Sequence, residues 1–170
     1  MMLGAIVIMG VSGSGKSTLG AALATTLGCP FLEGDAFHAA AAIAKMRAGR
    51  PLDDADRWSW LDRLGDAMAA AVHREGTAVA ACSALRRRYR QRLARATGST
   101  IRFILLDGDP ALLARRLRDR RDHWMPPALL DSQIATLEPP GEDERAITLP
   151  AGEPIEVLRS AALAWLGSDD

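Results

Sequence analysis

The stretch GVSGSGKST, residues 10–18, constrains the fold of this chain more than any other part of the sequence. This glycine loop follows the apolar run AIVIM and precedes a helix-like segment, so a buried strand, a turn and a helix come in direct succession. The pattern G-x-x-x-x-G-K-[ST] is satisfied by Gly10, Gly15, Lys16 and Ser17. The order of the three pieces predicts a strand-loop-helix unit of an α/β fold.

Four further apolar runs of strand length alternate with longer, helix-like segments. Because the runs are nearly continuous, we expect helices on both faces of a parallel sheet. The sequence therefore predicts a three-layer α/β/α sandwich with a mostly five-stranded parallel sheet, formed by one domain over residues 1–170. The predicted strands are residues 5–9, 29–33, 77–82, 101–106 and 146–149, and the predicted helices are 17–27, 58–75, 86–96, one that starts at Asp109 and Pro110, and 154–166.

Composition argues against two classes of partner. Lys and Arg number 21, as do Asp and Glu, so the formal net charge is zero and no global field attracts nucleic acid or lipid. Apolar runs stay well short of the roughly 18 residues that a membrane-spanning helix needs, and no basic region precedes the first of them. Cys29 and Cys82 lie in separate apolar runs and are expected to be buried free thiols. We therefore expect a cytoplasmic protein without a nucleic-acid or membrane partner.

Phosphate binding explains the residue types of the glycine loop. Glycines let the backbone curl with its N–H groups turned toward phosphate oxygens, and the following helix adds its partial positive charge. Lys16 is a compact charge on a long stem that can follow the β- and γ-phosphates, where the planar fork of arginine would fit poorly. The hydroxyl of Ser17 is expected on a magnesium ion shared with the nucleotide. The predicted nucleotide-binding residues of the loop are Gly10, Ser12, Gly13, Ser14, Gly15, Lys16, Ser17 and Thr18.

Asp35 and His38 follow the second predicted strand, at the edge where open parallel sheets bind ligands. A carboxylate there can take the proton of an acceptor hydroxyl or hold a water on the magnesium ion, and the sequence does not separate these roles. The third strand ends in Cys82 and Ser83, without a carboxylate, so Asp35 is the leading candidate for the metal side as well. The alternatives are an N-cap role for Asp35 and a structural role for His38.

Five stretches occur in the order and spacing of the gluconate kinases: GVSGSGKST, EGDAFH, KMRAGRPLDDADRWSWL, ACSALRRRYR and HWMPPALLDSQIATLEPP. From about residue 6 to residue 144 the chain resembles this family, a branch of the small P-loop kinases. The resemblance implies a P-loop NTPase fold with a helical lid, and phosphorylation of D-gluconate to 6-phosphogluconate by a cytoplasmic homodimer that uses ATP and Mg²⁺. Three positions depart from the family pattern: Ala39 and Ser59 stand where proline is common, and Ala42 replaces an asparagine that offers a polar substrate contact.

Gluconate presents a carboxylate and a row of hydroxyls, which suit basic and neutral polar side chains respectively. Arg57, Arg86 and Arg90 can supply a charge-assisted clamp on the carboxylate, and the sequence does not decide among them. Arg88 and Arg92 are expected on a solvated helix face. The candidate substrate-binding residues are Asp35, His38, Lys45, Arg57, Ser83, Arg86, Arg90 and Gln133.

The segment RRLRDRRDHWMPP has the position and composition of a lid, spanning about residues 116–140. By resemblance, Arg116 and Arg120 are the lid arginines that contact ATP. Arg120 joins Lys16 and Asp35 as a candidate catalytic residue, since its charge can stabilise the transferring group. Trp124 and Met125 are expected to pack the lid.

Three other functions stay open at this level. The nearest is a related small-molecule kinase acting on shikimate or another sugar acid, against which the spacing of the acceptor-side candidates argues. An ATP-binding regulatory module without turnover is favoured by Ala39 and Ala42 and disfavoured by the intact glycine loop and lid arginines. A nucleic-acid binder rests only on the basic stretch after Ser83, which lacks aromatic interleaving beyond Tyr89.

Overall fold

The computed structural model describes residues 2–120 and 127–168. Within these residues one parallel sheet of five strands has the order β2-β3-β1-β4-β5. The strands are β1 (Gly4–Met9), β2 (Phe31–Glu33), β3 (Thr77–Ala81), β4 (Ile101–Asp107) and β5 (Ala146–Pro150). The helices are α1 (Lys16–Leu27), α2 (Ala40–Arg47), α3 (Asp54–Glu75), α4 (Arg87–Thr97), α5 (Pro110–Asp119), α6 (Pro127–Thr136) and α7 (Ile155–Gly167), and a 3₁₀ turn spans Gly34–Phe37.

Apolar cores lie on both faces of the sheet. Ile6 and Ile8 of β1 pack in a cluster with side chains of α1 and α7. Val7 and Met9 of the same strand pack in a second cluster with α3 and α4. Since successive side chains of a strand point to opposite faces, both faces of β1 are covered by helices. The predicted three-layer α/β/α sandwich with a five-stranded parallel sheet is confirmed.

The strand order places the functional edge of the sheet. β1 lies between β3 and β4, while the chain from β1 crosses over β3 to reach β2 at the border of the sheet. Ligands of open α/β sheets bind at the carboxyl ends of strands where the order reverses in this way. At this edge the amide of Gly10 donates a hydrogen bond to the carbonyl of Ser83 at 3.2 Å, which ties the glycine loop to the end of β3.

Two helix starts show how local signals act. Asp109 accepts a hydrogen bond from the Ala111 amide at 3.1 Å, so the predicted start of α5 is confirmed. α3 begins at Asp54, four residues before the predicted start at residue 58. The reason is a capping box in which the carboxylates of Asp53 and Asp56 each accept the backbone N–H of the other. Apolar spacing alone does not reveal this polar first turn.

α2 was not predicted as a helix, and α6 was expected only as part of a helical lid, without bounds of its own. α2 is eight residues long and buries only Ala42 and Met46, so it carries little of the spacing that identifies an amphipathic helix. α6 lies in the region predicted as a cover of the site.

Cys29 and Cys82 are both free, as expected. Cys82 is buried, whereas Cys29 is only half-buried because β2 begins two residues later than predicted.

Candidate active site

The glycine loop adopts a conformation that only glycine accepts easily. Gly10 and Gly13 have φ values of 141° and 83°. A Cβ on Gly10 would lie 2.8 Å from the Leu106 carbonyl oxygen, and one on Gly13 would lie 3.0 Å from that of Leu113. The loop therefore packs closely against β4 and α5, as a backbone cradle requires.

The N-terminus of α1 is prepared for an anion. Its N-cap is Gly15, and no side chain of the described residues caps it or places a carboxylate in its first turn. The free N–H groups and the helix dipole therefore face the loop. Ser14 Oγ is buried and has no hydrogen-bond partner among the described residues, which suits a hydroxyl that awaits a phosphate oxygen.

Lys16 lies at the centre of the loop. Its Nζ donates to the carbonyl of Val11 at 3.0 Å, so the side chain folds back over the loop. Burial lowers the pKa of Lys16, and the negative charges of Asp35 and Glu33 act in the opposite direction. Phosphate oxygens bound beside this ammonium group would offset the free-energy cost of its desolvation.

Glu33 is a site residue that the sequence analysis passed over. It is the last residue of β2, and its Oε2 accepts a hydrogen bond from Ser17 Oγ at 2.5 Å. A narrow cavity of about 40 Å³ is lined by both residues. The sequence feature that indicates a site role for Glu33 is its position at the carboxyl end of a predicted strand, two residues before Asp35. Further residues that line this cavity are Ser12, Gly13, Gly15, Lys16, Asp35, Ala81 and Arg120.

Asp35 and His38 belong to one short segment, residues 34–38, which we call the acceptor turn. The Asp35 side chain is 74% exposed, and its Oδ1 lies 3.9 Å from His38 Nε2. Ala39 rather than Asp35 is the N-cap of α2, so the alternative N-cap role for Asp35 is wrong. Asp35 instead lies within the 3₁₀ turn and lines the same cavity as Lys16.

The His38 imidazole is held in a deeply buried position. Its side chain is 5% exposed, and its ring stacks on Trp60 with centroids 4.2 Å apart and planes inclined by 20°. Burial lowers the pKa of His38 to about 4, so the ring is neutral at pH 7. Nδ1 is buried without a hydrogen-bond partner in the described part of the chain. Such an atom calls for an explanation, and a substrate hydroxyl is a suitable partner.

The three arginines proposed to bind the substrate carboxylate make different contacts in the structure. Arg90 is 1% exposed, and its Nε and Nη2 donate to the two carboxylate oxygens of Glu144 at 2.7 and 3.1 Å. Its Nη1 donates to the carbonyl of Ala84 at 2.9 Å. The prediction that Arg90 clamps the substrate carboxylate is corrected, because its fork already holds a carboxylate of the protein.

Arg57 and Arg86 are differently placed. Arg57 donates to the Tyr89 hydroxyl at 3.1 Å and lines a cavity of about 40 Å³ together with Gln133. Arg86 precedes α4 and lies 3.5 Å from Glu138, while its Nε is buried without a partner among the described residues. Arg57 thus faces an enclosed space between α3 and α6, and Arg86 borders the segment that follows α6.

Lys45 is engaged away from the glycine loop. Its Nζ donates to Asp56 at 2.7 Å and lies 3.5 Å from Asp53, so it ties the end of α2 to the capping box of α3. The hydrogen bond with Asp56 raises the pKa of Lys45. Its predicted substrate contact stays a prediction. Ser83 lies half-buried at the end of β3, where its carbonyl accepts from Gly10.

Gln133 links α6 to the glycine loop. Its Oε1 accepts a hydrogen bond from the backbone N–H of Ser12 at 2.7 Å. Gln133 also lines the cavity that Arg57 faces. One side chain therefore contacts both the nucleotide-binding loop and the space on the acceptor side.

Arg116 and Arg120 border a cavity of about 310 Å³ beside the glycine loop. Arg116 Nη1 lies 3.2 and 3.3 Å from the carbonyls of Gly13 and Ser14, and Nη2 donates to the Ala151 carbonyl at 2.8 Å. Arg120 lines both this cavity and the narrow one beside Lys16. Trp124 and Met125, expected to pack the lid, lie outside the described residues.

The basic stretch of α4 is balanced by acidic side chains of α3. Arg88 lies 2.8 Å from Asp54, and Arg92 lies 2.7 Å from Asp62, so the expected solvated face is a row of ion pairs. These two ion pairs lower the net positive charge on this face of α4.

Comparison with known proteins gives matches over most of the chain. A family model described as an AAA domain matches residues 6–140. The chain is 43% identical over 165 residues to the gluconokinase of Gluconobacter oxydans. This alignment covers 97% of this chain and 92% of that protein. A sugar kinase from Janibacter sp. superposes with a TM-score of 0.91 at 43% identity, covering 96% and 94% of the two chains. A gluconokinase from Sinorhizobium meliloti does so with a TM-score of 0.87 at 41% identity, covering 98% and 93%.

Proposed function

The chain belongs to the gluconokinase family, and we propose on this premise that it transfers the γ-phosphoryl group of ATP to D-gluconate, giving 6-phospho-D-gluconate and ADP. The observation that carries the proposal is a single cavity that brings together Lys16, Asp35 and Arg120. A phosphate-binding ammonium, a carboxylate and a guanidinium cation around one space are the groups that phosphoryl transfer to a hydroxyl requires.

The cavity of about 310 Å³ is the place for the nucleoside of ATP. It opens beside the glycine loop, between α5 and the start of α7, and Ile155 and Leu158 give it an apolar wall. The Arg116 guanidinium, fixed by three backbone carbonyls, forms another wall against which a base can lie. The α- and β-phosphates would then reach the N-terminus of α1 and the orphan hydroxyl of Ser14.

Ser17 and Glu33 would hold the magnesium ion. Both offer hard oxygen atoms, and their 2.5 Å hydrogen bond puts these atoms within one coordination sphere or one water of each other. Magnesium keeps several waters and is commonly held by one or two protein oxygens together with phosphate oxygens of the substrate, which two such residues can provide. When bound, magnesium neutralises charge on the β- and γ-phosphates. With Glu33 in this place, Asp35 is left to act on the acceptor.

In the transfer step the C6 hydroxyl oxygen of gluconate forms a bond to the γ-phosphorus, and the bond from phosphorus to the β–γ bridging oxygen breaks. Asp35 accepts the hydroxyl proton. The charge left on ADP and spread over the transferring group is stabilised by Lys16 and Arg120, which line the same cavity.

Acceptor recognition would fall to three side chains around the acceptor turn. Arg57, with its Nη1 on Tyr89, is the candidate for the substrate carboxylate, since it lines a small cavity and makes no direct ion pair with an acidic side chain of the described residues. The unpaired Nδ1 of His38 and the amide of Gln133 would bind hydroxyls. Arg86 stays a second candidate near Glu138.

Assembly, location and lid closure stay predictions. The resemblance implies a homodimer, and the sequence favours the cytoplasm. None of the helices in the described ranges is long and apolar enough to cross a membrane. Closure of a lid over residues 116–140 would bring Arg120 further over the phosphates.

The test is formation of ADP from Mg-ATP across a panel of acceptors: gluconate, other aldonic acids, shikimate, neutral sugars and none. We expect selective stimulation by gluconate, with one equivalent of a phosphorylated product per ADP. ATP binding without stimulation by any acceptor would favour a regulatory module, and stimulation by shikimate or another acid in place of gluconate would change the assigned acceptor.

A further inference from the structure

The acceptor turn is a weak scaffold for two functional side chains. A 3₁₀ turn of four residues has poorer hydrogen-bond geometry than an α-helix. In this turn the His38 amide donates to the Asp35 carbonyl at a long 3.4 Å. The Asp35 side chain is 74% exposed, so it is not fixed by burial of its own. Its place must be set by residues that contact the turn from outside.

Trp60 of α3 contacts both ends of the turn. Its indole Nε1 donates to the carbonyl of Gly34 at 2.8 Å in a buried position. Its ring stacks on the His38 imidazole with centroids 4.2 Å apart. Trp60 itself is 3% exposed and belongs to the core cluster beneath the sheet. Gly34 and His38, which lie on either side of Asp35 in the chain, thus both contact the side chain of Trp60.

The end of β3 confines the turn from another direction. A Cβ on Gly34 would lie 2.1 Å from the Ala81 carbonyl oxygen, so the backbone of the turn is in direct contact with the strand. Loss of the indole N–H would leave the Gly34 carbonyl buried without its partner, which has a cost in free energy. The turn would then relax in the direction that Trp60 now blocks.

We propose that Trp60 is a positioning residue for phosphoryl transfer, which sets the places of the Asp35 carboxylate and the His38 imidazole relative to the acceptor hydroxyl. The inference rests on the proposed function. A displacement of about 1 Å at a reacting group can lower a rate about a hundredfold, so a small shift of the turn is enough to matter. The effect should fall on the acceptor, because the glycine loop is anchored to β4 and α5 instead.

The test compares Trp60→Phe with Trp58→Phe. The first keeps an aromatic ring against His38 and removes the hydrogen-bond donor. The second makes the same change two residues away, where Trp58 is half-buried and meets Tyr89 edge-on, with centroids 5.8 Å apart. We expect Trp60→Phe to lower kcat with gluconate by about tenfold to a hundredfold, with KM for ATP within about twofold of the parent. Trp58→Phe should change kcat less than about threefold.

The yield of phosphogluconate per ADP distinguishes positioning from stability. A displaced acceptor turn lets water compete for the phosphoryl group, so this yield should fall in Trp60→Phe and stay near one in Trp58→Phe. A lowered melting temperature with unchanged kcat and unchanged yield would overturn the proposal. Failure of the wild-type protein to respond to gluconate is a different result, since it contradicts the proposed function.

A second measurement needs neither turnover nor a variant. The indole N–H resonances of wild-type Trp60 and Trp165 can be followed by NMR while gluconate is added to the protein with a non-hydrolysable ATP analogue. Trp165 packs on the opposite face of the sheet and serves as the internal control. A shift of the Trp60 resonance alone supports the proposal, and equal or absent shifts overturn it.

Discussion

The two sides of the site are built in different ways. The phosphate-binding part of the nucleotide side is one continuous segment, the glycine loop with the start of α1, and its proposed binding groups are largely backbone N–H groups. The proposed acceptor side is assembled from the acceptor turn, α3, the end of β3 and α6, and its proposed binding groups are side chains. A local backbone site tolerates little change at its few essential side chains, whereas an assembled site can lose one contact and keep others. We therefore expect graded effects on the acceptor side.

The largest effect is expected from Lys16→Ala on the nucleotide side. Removing the ammonium group takes away charge stabilisation of the transferring phosphoryl group, so the rate of transfer should fall about 10³-fold. The melting temperature should change little, because Lys16 Nζ makes its one recorded hydrogen bond to the carbonyl of Val11. Lys45→Ala removes the other lysine of the chain and is expected to keep more than about a tenth of the activity, since it breaks a half-buried ion pair with Asp56 and leaves the glycine loop unchanged. Equal losses in the two variants would contradict the assignment of Lys16.

Asp35→Asn should lower kcat about 10²-fold and leave KM for ATP near its original value, because it removes a proton acceptor and keeps the shape of the side chain. Glu33→Gln provides the contrast. It should raise the magnesium concentration needed for half-maximal rate, a quantity that Asp35→Asn should not move. Near-normal turnover in Asp35→Asn would rule out its role as base, and a shift of the magnesium requirement in that variant would place Asp35 on the metal side.

A pair of arginine variants separates binding from folding on the acceptor side. Arg57→Met should raise KM for gluconate about tenfold, the loss expected for one charge-assisted hydrogen bond, with little change in melting temperature. Arg90→Met leaves Glu144 nearly buried and unpaired, so the free energy of unfolding should fall by about 3 kcal/mol while KM for gluconate stays close to that of the parent. Thermal unfolding and steady-state kinetics on both variants check this, and a raised KM in Arg90→Met alone would reverse the two roles.

Prediction from sequence succeeded where the signal is local. The strand, loop and helix around Lys16 are contiguous, and the start of α5 follows from Asp109 and Pro110 alone. Because parallel strands buried on both faces read as apolar runs, all five strands were found, with ends wrong by one or two residues.

The errors arose where partners are distant along the chain. Arg90 meets Glu144, 54 residues away, and nothing in the basic stretch of α4 indicates that its fork is occupied. Glu33 ends a strand that was predicted, but its contact with Ser17, 16 residues away, depends on the packing of α1 against β2. The N-cap reading of Asp35 failed because the chain forms a 3₁₀ turn before α2 begins. Each of these depends on packing rather than on propensity.

The hydrogen bond between Gln133 and the Ser12 amide has a thermodynamic consequence. Gln133 lines the cavity that Arg57 faces, which is the proposed place of gluconate, and Ser12 belongs to the glycine loop, so one bond joins the two proposed substrate sites. Linkage is reciprocal: if gluconate alters this bond and thereby changes the affinity for ATP by some factor, ATP must change the affinity for gluconate by the same factor. The two Kd values are then properties of the pair of ligands, and each has meaning only at a stated concentration of the other.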